Sequence, residues 1–325
     1  MFILDIMEQM DIEAAIDSLV ITTKGEILSR VEELSYNVAI DDTSTKVYCH
    51  MLKVDANGNT RINDLLEYID TKLVEYALPK KEIDDARRYL EETDSLAKIM
   101  ALKRKATALF NNLDKTGEGG EILLYILIQE FFGYPQLLSK MSLKTSSGLH
   151  YQGADGIHVG YDKDQENLHL YWGESKMYQN IQAAIDECIK SIQGFLLDAQ
   201  GNESVQERDL QLITSNISAN VNNPDFENLL VRFFNKDDDF SNHVVYKGIC
   251  FVGFDSKKYP VTGDFSQTTA SIKEQLQKDL NSWYEALKKS LEKYSGLVSK
   301  EIHFFLMPFP SVEEFRKNFL QKIHS

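Results

Sequence analysis

The sequence predicts an α/β fold in which a central mixed sheet is flanked by helices. Two strand-like runs, Asp155–Tyr161 and Leu168–Lys176, flank the polar loop Asp162–Asn167, a pattern that is typical of a β-hairpin. Further along, the apolar runs Val244–Phe254 and Ile302–Met307 are separated by a long helical pattern. A strand, a crossover helix and a second strand indicate parallel strands in one sheet, so antiparallel and parallel pairs should coexist.

The composition is that of a folded globular protein without a membrane segment. The chain has 325 residues and is 43% hydrophobic, which allows one large domain or two ordinary ones. No apolar run approaches the roughly 18 residues that a membrane helix needs. The start, MFILDIMEQM, contains acids and lacks a basic region, unlike a secretory signal. We therefore expect a cytoplasmic protein, and Cys49, Cys188 and Cys250 lack the spacing of a disulfide framework or a zinc site.

Charge is unevenly distributed along the chain, whose formal net charge is −15. Residues 1–92 carry 10 Lys and Arg against 20 Asp and Glu, and the remaining residues carry 25 against 30. A basic footprint is the usual mark of a nucleic-acid-binding surface, so the acidic excess argues against DNA contacts by the first region. We divide the chain into an acidic N-terminal accessory region, 1–92, expected to contact a partner, and a main domain, 93–325, with a polar excursion at 198–242.

The N-terminal region contains one clear helix and two weaker signals. Val47–Val54 alternates enough for a strand, while Glu26–Val38 fits either a helix or a strand. Apolar residues recur at helical spacing in Thr60–Ala77, which predicts an amphipathic helix. Lys80–Glu92 then reads as a charged, mostly solvated helix.

The main domain begins with helices and a strand. A helix capped by Thr93 or Asp94 is predicted to run to Asn111, and it is the most basic helix of the chain, with a face that is either solvated or in contact with phosphates. Gly120–Phe132 is apolar nearly all round, which is typical of a buried helix. Met141–Thr145 is the expected first strand. A second amphipathic helix is expected after the hairpin, in the stretch that begins near Ile181.

The hairpin register brings two carboxylates together. A turn at Asp164 and Gln165 places Asp155 opposite Glu174, on the face that carries the apolar pairs Tyr161/Leu168, Val159/Leu170 and Ile157/Trp172. Like charges that face each other destabilise a sheet, so this pair requires positive charge nearby. Lys176 projects to the same side and supplies one cation. We expect Mg²⁺, with Mn²⁺ as a substitute, to supply the rest, held by Asp155, Glu174 and the backbone carbonyl of Ser175.

These residues resemble the signature of the PD-(D/E)xK nucleases. Asp155 is followed after a hairpin by Glu174-Ser175-Lys176, and Ala154 stands where many members have proline. The segments GEGGEILLYILIQEFFG at 117–133, GADGIH at 153–158 and GESK at 173–176 more narrowly resemble HamA, the nuclease-subunit family of the Hachiman antiphage defence system. The resemblance is convincing over residues 95–197.

The resemblance implies a fold, a reaction and a partner. It implies a nuclease-like core of a helix, three strands, a helix and a strand, in which an acid of the first helix completes the metal site. Glu121 is the matching position, with Glu118 as the alternative. Asp155, Glu174 and Lys176 would be catalytic, DNA the substrate, and a helicase subunit resembling HamB the partner.

Substrate contacts are expected around the end of the second hairpin strand. Tyr178 and Gln182 lie close to the Glu174-Ser175-Lys176 segment, and His150 precedes the hairpin; each is otherwise an ordinary polar surface residue. His158 and His169 fall on the opposite face of the hairpin and are poor metal ligands. The leading hypothesis is a metal-dependent DNA nuclease subunit. The alternative is a non-catalytic nuclease-like adaptor that docks a helicase or senses DNA ends.

Overall fold

A seven-stranded mixed sheet forms the centre of the protein. The computed structural model describes residues 11–22, 24–110, 117–139, 141, 153–197, 205–260 and 266–323. The strands are β1 Val31–Ala39, β2 Thr45–Leu52, β3 Gln136–Ser139, β4 Gly156–Asp162, β5 Asn167–Tyr178, β6 Val244–Asp255 and β7 Ile302–Phe309. Their spatial order is β1-β2-β7-β6-β5-β4-β3. Neighbours are antiparallel at both ends of the sheet, and β2–β7, β7–β6 and β6–β5 are parallel. The predicted α/β fold with a mixed sheet is confirmed.

Helices flank this sheet. They are α1 Ile12–Asp17, α2 Ile62–Thr71, α3 Leu73–Ala77, α4 Lys80–Thr93, α5 Ala97–Ala108, α6 Glu118–Leu127, α7 Ile181–Leu196, α8 Val205–Asn216, α9 Pro224–Phe234, α10 Thr269–Gln277, α11 Leu280–Leu291 and α12 Val312–Ile323. Short 3₁₀ helices occur at Glu26–Ser29, Ile217–Ala219 and Asp239–His243. Within the described parts of the chain, no helix combines the length and apolar character that crossing a bilayer requires.

The hairpin has the predicted register. Tyr161 pairs with Leu168, Val159 with Leu170 and Ile157 with Trp172, and the ladder ends where Gly156 pairs with Gly173. Every pair has the residue sum that the predicted turn requires. Alternation of apolar and polar residues fixed this register because a slip of one residue would turn the apolar stripe towards the wrong face.

The two faces of β5 carry different helices. On one face, Leu124 of α6 lies 3.3 Å from where a Cβ on Gly173 would stand. On the other, Trp172 stacks on Phe195 of α7, with ring centroids 6.2 Å apart. Because strand side chains alternate, the even-numbered residues of β5 face α7 and the odd-numbered residues face α6.

The helix α6 is the most deeply buried helix in the described parts of the chain. All ten of its residues are buried, including the two glutamates in its first turn. It continues into a π-helical turn, Ile128–Phe132, which the apolar pattern at 120–132 did not distinguish from α-helix. The prediction of a buried helix is confirmed, and each fully buried Leu or Ile stabilises the fold by about 1.5–3 kcal/mol relative to an exposed one.

The N-terminal region and the main domain share one sheet. β2 pairs with β7 from Thr45↔Ile302 to Cys49↔Leu306, and β1 adds the outer strand. The strand predicted at 47–54 thus begins two residues earlier. The ambiguous stretch Glu26–Val38 contains a 3₁₀ helix and most of β1. The change in charge near residue 92 therefore does not separate two sheets.

The N-terminal helical pattern is divided in two. The helix predicted over 60–77 forms α2 and α3, with Lys72 between them. The Lys72 ammonium is buried and forms ion pairs with Glu26 at 3.2 Å and Glu75 at 3.4 Å. Periodicity alone missed this break because the apolar spacing continues across it.

The basic helix starts later than predicted. Asp94 adopts a left-handed conformation, with φ 56°, and ends α4 instead of capping α5. The expected cap at Thr93 or Asp94 was therefore wrong, and α5 begins at Ala97. The strand before the hairpin that the structure describes is β3 at 136–139, and Met141, the first residue of the strand expected at 141–145, is in a turn. Residues 142–145 lie outside the described chain.

The polar excursion carries two helices that pack on the rest of the protein. Leu210 and Ile213 of α8, and Leu230 and Phe233 of α9, are buried. The Asp209 carboxylate is fully buried and accepts a hydrogen bond from the Ala154 amide at 3.3 Å. The excursion therefore reaches the start of β4, where the candidate site lies.

Candidate active site

The Asp155 carboxylate is held against the Glu174-Ser175-Lys176 segment at the end of the hairpin. The Asp155 amide donates to the Gly173 carbonyl at 3.0 Å, one step beyond the last ladder pair. The Ser175 amide donates to Asp155 Oδ2 at 2.9 Å. Asp155 is 7% exposed and Glu174 is 5% exposed. Two acids that the sequence separates by 18 residues are thus buried at one end of one β ribbon.

The Lys176 ammonium contacts the Glu174 carboxylate. Its Nζ donates to Glu174 Oε1, and the two side chains lie two residues apart on the face that α7 covers. Burial by itself lowers the pKa of Lys176, but the charges of Glu174 and Asp155 outweigh burial and raise that pKa above its usual value. Lys176 therefore remains a cation throughout the neutral range. As an ammonium it offers a positive charge and N–H donors, and it cannot accept a proton.

The backbone of Ser175 contributes to the same edge. In a strand, the amide and the carbonyl of one residue point to the same side. Since the Ser175 amide points to Asp155, the Ser175 carbonyl is directed towards the side on which β4 has ended. This orientation fits the predicted role of that carbonyl as an oxygen ligand.

The first turn of α6 lies against this segment. A Cβ on Gly120 would stand 2.6 Å from Ser175 Oγ, so the helix backbone approaches β5 at the site itself. Glu121 is 8% exposed, and its Oε2 accepts a hydrogen bond from the Tyr76 hydroxyl at 3.0 Å. Burial, followed by the charges of Glu121 and Asp155, raises the pKa of Tyr76 well above its usual value. The charges of Glu121 and Asp155 therefore both raise the pKa of the same phenol, that of Tyr76.

The oxygen donors fit a hard cation held by few protein groups. Within the described residues, no group of three or more His, Cys, Asp or Glu is arranged to hold a metal ion. Asp155, Glu174 and the Ser175 carbonyl form a set of two carboxylates and one carbonyl. Mg²⁺ commonly keeps several waters and takes one or two carboxylates, so this set suits it. Glu121 as a further ligand stays a prediction, and its carboxylate accepts a hydrogen bond from Tyr76.

The expected substrate residues fall in different places. Tyr178 is 37% exposed at the end of β5. Gln182 uses its amide inside the protein, where Nε2 donates to Asp186 at 3.2 Å and to Ser290 of α11 at 2.7 Å. These contacts favour a role in joining α7 to α11, and substrate binding by Gln182 stays a prediction. His150 lies outside the described residues.

Sequence analysis missed three residues that support the site. Tyr76 bonds Glu121, Asp209 holds the residue before Asp155, and Arg316 of α12 donates from Nη2 to the Met177 carbonyl, one residue beyond Lys176. Arg316 lies 139 residues from its partner in sequence, so no local pattern could reveal the contact. From the sequence, Glu121 was either a first-turn acid that compensates the helix dipole or a metal ligand, with Glu118 as the alternative ligand, and its bond to Tyr76 was not foreseen.

The sheet, the helix pair around β5 and the acidic ribbon end define a nuclease-like α/β protein. A family model of HamA matches residues 28–323, nearly the whole chain, and the protein therefore belongs to the HamA family. Membership supports a role in Hachiman-related antiphage defence and suggests a partner within that system. A comparison with curated proteins finds no match.

Proposed function

We propose that the protein is a metal-dependent DNA nuclease subunit that hydrolyses phosphodiester bonds in the cytoplasm together with a helicase partner. The observation that carries the proposal is the hydrogen bond from Ser175 to Asp155, which fixes one carboxylate beside Glu174 and Lys176. Buried acids of this kind destabilise a fold unless cations compensate them, and such groups are typical of catalytic sites.

Each residue of the site has a distinct task in this proposal. Asp155, Glu174 and the Ser175 carbonyl would hold Mg²⁺, which when bound polarises a phosphoryl oxygen and lowers the pKa of a coordinated water. Lys176 orients the attacking water and stabilises the negative charge that develops on the phosphate. Burial of the ribbon end by α6 and α7 lowers the local dielectric and strengthens these interactions.

The direct test is a cleavage assay on plasmid and linear DNA, with the purified chain alone and with the helicase encoded beside it. We expect cutting in Mg²⁺, no cutting in EDTA, and a rate at least about 100-fold lower for Asp155→Asn, which keeps the shape of the side chain but loses its charge. Cutting by Asp155→Asn at the wild-type rate would contradict the assigned site.

Arg316 is assigned a contact to a DNA phosphate next to the scissile one. Its Nη2 donates to the Met177 carbonyl, which holds the guanidinium at the end of β5. A guanidinium has five donors in a planar fork that matches phosphate oxygens. The position at the end of β5 adds a second cation to a site whose lysine is already bonded to Glu174.

The variant Arg316→Gln should bind DNA about tenfold more weakly in EDTA, measured by fluorescence anisotropy. The slope of the logarithm of the binding constant against the logarithm of the salt concentration should also become shallower by an amount that corresponds to about one phosphate contact. Each such contact releases counterions from the DNA. Arg88→Gln is the control, since Arg88 is 64% exposed and pairs with Asp85. A weaker complex with an unchanged salt slope would assign Arg316 a structural role only.

A second candidate is a non-catalytic adaptor that docks the helicase. The observation that favours it is that basic side chains of helix α5 interact with other side chains of the protein. Lys98 lies over the Tyr89 ring, Lys103 bonds Asp70 at 2.8 Å, and Lys105 bonds Glu82 at 2.5 Å. Three basic side chains of this helix are therefore engaged by neighbouring side chains, and Arg104 is exposed. Stable complex formation without cleavage under every condition of the assay above would favour the adaptor.

A further inference from the structure

A cavity of about 450 Å³ opens at the opposite end of β5 from the candidate active site. Its lining includes the aromatic residues Tyr36, Tyr48, Phe132, Tyr134, Tyr161 and Tyr171, and we call it the aromatic cavity. Its volume lies within the range of about 300–1,000 Å³ that is usual for small-molecule sites. Tyr171 faces the α6 side of the sheet, whereas Glu174 and Lys176 face α7. The two sites are therefore on different faces and at different ends of one strand.

A chain of polar groups forms one wall of the aromatic cavity. Lys247 Nζ pairs with Glu301 Oε2 at 2.9 Å, and His303 Nε2 lies 2.9 Å from Glu301 Oε1. The other ring nitrogen of His303 lies 3.2 Å from the Tyr48 hydroxyl, which donates to Asn37 Oδ1 at 3.2 Å. Buried ion pairs contribute little net stability, so core packing does not by itself require this network. Nothing in the proposed nuclease mechanism uses it either.

The edge strand β1 is irregular where Tyr36 and Asn37 line the aromatic cavity. Its pairing with β2 shifts register on both sides of Ser35, and Asn37 has a left-handed φ of 53°. Bulges of this kind redirect side chains and recur next to functional sites. The consequence here is that Tyr36 stays 49% exposed at the mouth, with its ring 5.1 Å from that of Tyr48.

The charges around the aromatic cavity balance. Three lysines, Lys46, Lys163 and Lys247, stand against three carboxylates, Asp162, Asp164 and Glu301. Hydrogen bonds from His303 and Lys247 outweigh burial and lower the pKa of Glu301 to about 2, so its carboxylate is an acceptor at neutral pH. A balanced set of donors and acceptors does not favour a phosphate-rich ligand. It suits a neutral planar ring whose edge carries both kinds of group.

We propose that the aromatic cavity binds a nucleobase. The base would stack on the aromatic rings at the mouth of the cavity, and the edge of the base would form hydrogen bonds with Glu301 and Asn37. Aromatic rings stack on every base, because each base has a π face. The base can come from a free nucleoside or from an unpaired position of a nucleic acid strand. The proposal is independent of cleavage, since it concerns a separate face of the sheet.

The test is isothermal titration of the wild-type protein with the four nucleosides, their 5′-monophosphates and a short single-stranded oligonucleotide. We expect at least one nucleoside to bind with a Kd below about 1 mM, and its monophosphate to bind no more than a few times tighter. Competition by the oligonucleotide assigns the base to a strand, and nucleoside binding without competition assigns it to a free ligand. Either result supports recognition of a base.

The variant Tyr36→Ala should weaken nucleoside binding about tenfold, and Tyr36→Phe should bind like wild type because it keeps the ring. Tyr89→Ala, which removes a ring from α4 outside the cavity, is the control. Tyr36 is half exposed, so the fold should persist, as thermal unfolding can verify. The proposal is overturned if no nucleoside binds at millimolar concentration, if Tyr36→Ala binds like wild type, or if phosphate raises the affinity more than tenfold.

Discussion

Replacing Lys176 by Ala should reduce the cleavage rate by about 100- to 1,000-fold. The ammonium is the cation bonded to Glu174, and removal of one preorganised electrostatic group from an active site has effects of this size. The measurement is the initial rate of plasmid cleavage in Mg²⁺ with the helicase partner present. Lys176→Arg tests whether charge alone suffices, since the guanidinium keeps the charge but changes its geometry.

Lys190→Ala is the matched control for Lys176→Ala. Lys190 lies on α7 with 66% of its side chain exposed and pairs with Glu187 at 3.5 Å. Exposed pairs of this kind contribute at most about 1 kcal/mol, so this variant should cleave at the wild-type rate. Equal rates for Lys176→Ala and Lys190→Ala would refute the role of Lys176.

Replacing Gly173 by Ala should destabilise the protein by about 1–3 kcal/mol and lower cleavage as well. A Cβ at this position would stand 3.0 Å from the Gly156 carbonyl oxygen and 3.3 Å from Leu124. A backbone oxygen cannot rotate away, so β4 and β5 must separate where the Asp155 amide bonds Gly173. Chemical denaturation measures the free energy of unfolding, and the cleavage assay measures the effect on the site.

Gly194→Ala should instead raise the free energy of unfolding in the same chemical denaturation experiment. Gly194 lies inside α7, and a Cβ there meets nothing within 4 Å. An alanine in place of a helical glycine stabilises by about 0.5–1 kcal/mol because the unfolded chain loses freedom. If Gly173→Ala also raised the free energy of unfolding, as Gly194→Ala should, the predicted crowding at Gly173 would be refuted.

The hairpin was predictable from sequence because its physics is local. Alternation between Ile157 and Tyr161 fixed the face, the polar loop fixed the turn, and together they fixed the pairing up to Gly173. The buried helix α6 and the parallel strand β6 were predictable for a similar reason. A continuous apolar run can be recognised in the sequence even when the elements that pack on it are unknown. Asp155 and Glu174 then follow from counting along the strands.

The supporting contacts could not be predicted in this way. Asp209 reaches Ala154 across 55 residues, and Arg316 reaches Met177 across 139. A single sequence carries no information about which distant helix packs on which strand. The start of α5 was misjudged for another reason: Asp94 is a good N-cap by composition, yet it adopts the left-handed conformation that closes α4.

The long pairing between β5 and β6 limits how the protein can be controlled. The ladder runs without interruption from Leu168↔Val244 to Tyr178↔Phe254, so Glu174 and Lys176 belong to a strand that cannot shift unless the centre of the molecule opens. Asp155 lies one step beyond the ladder of its own strand, where its amide donates to the Gly173 carbonyl and its carboxylate accepts from the Ser175 amide. We therefore expect an inhibitor or activator to act by displacing Asp155 rather than by moving β5, because a shift of β5 would open the centre of the molecule.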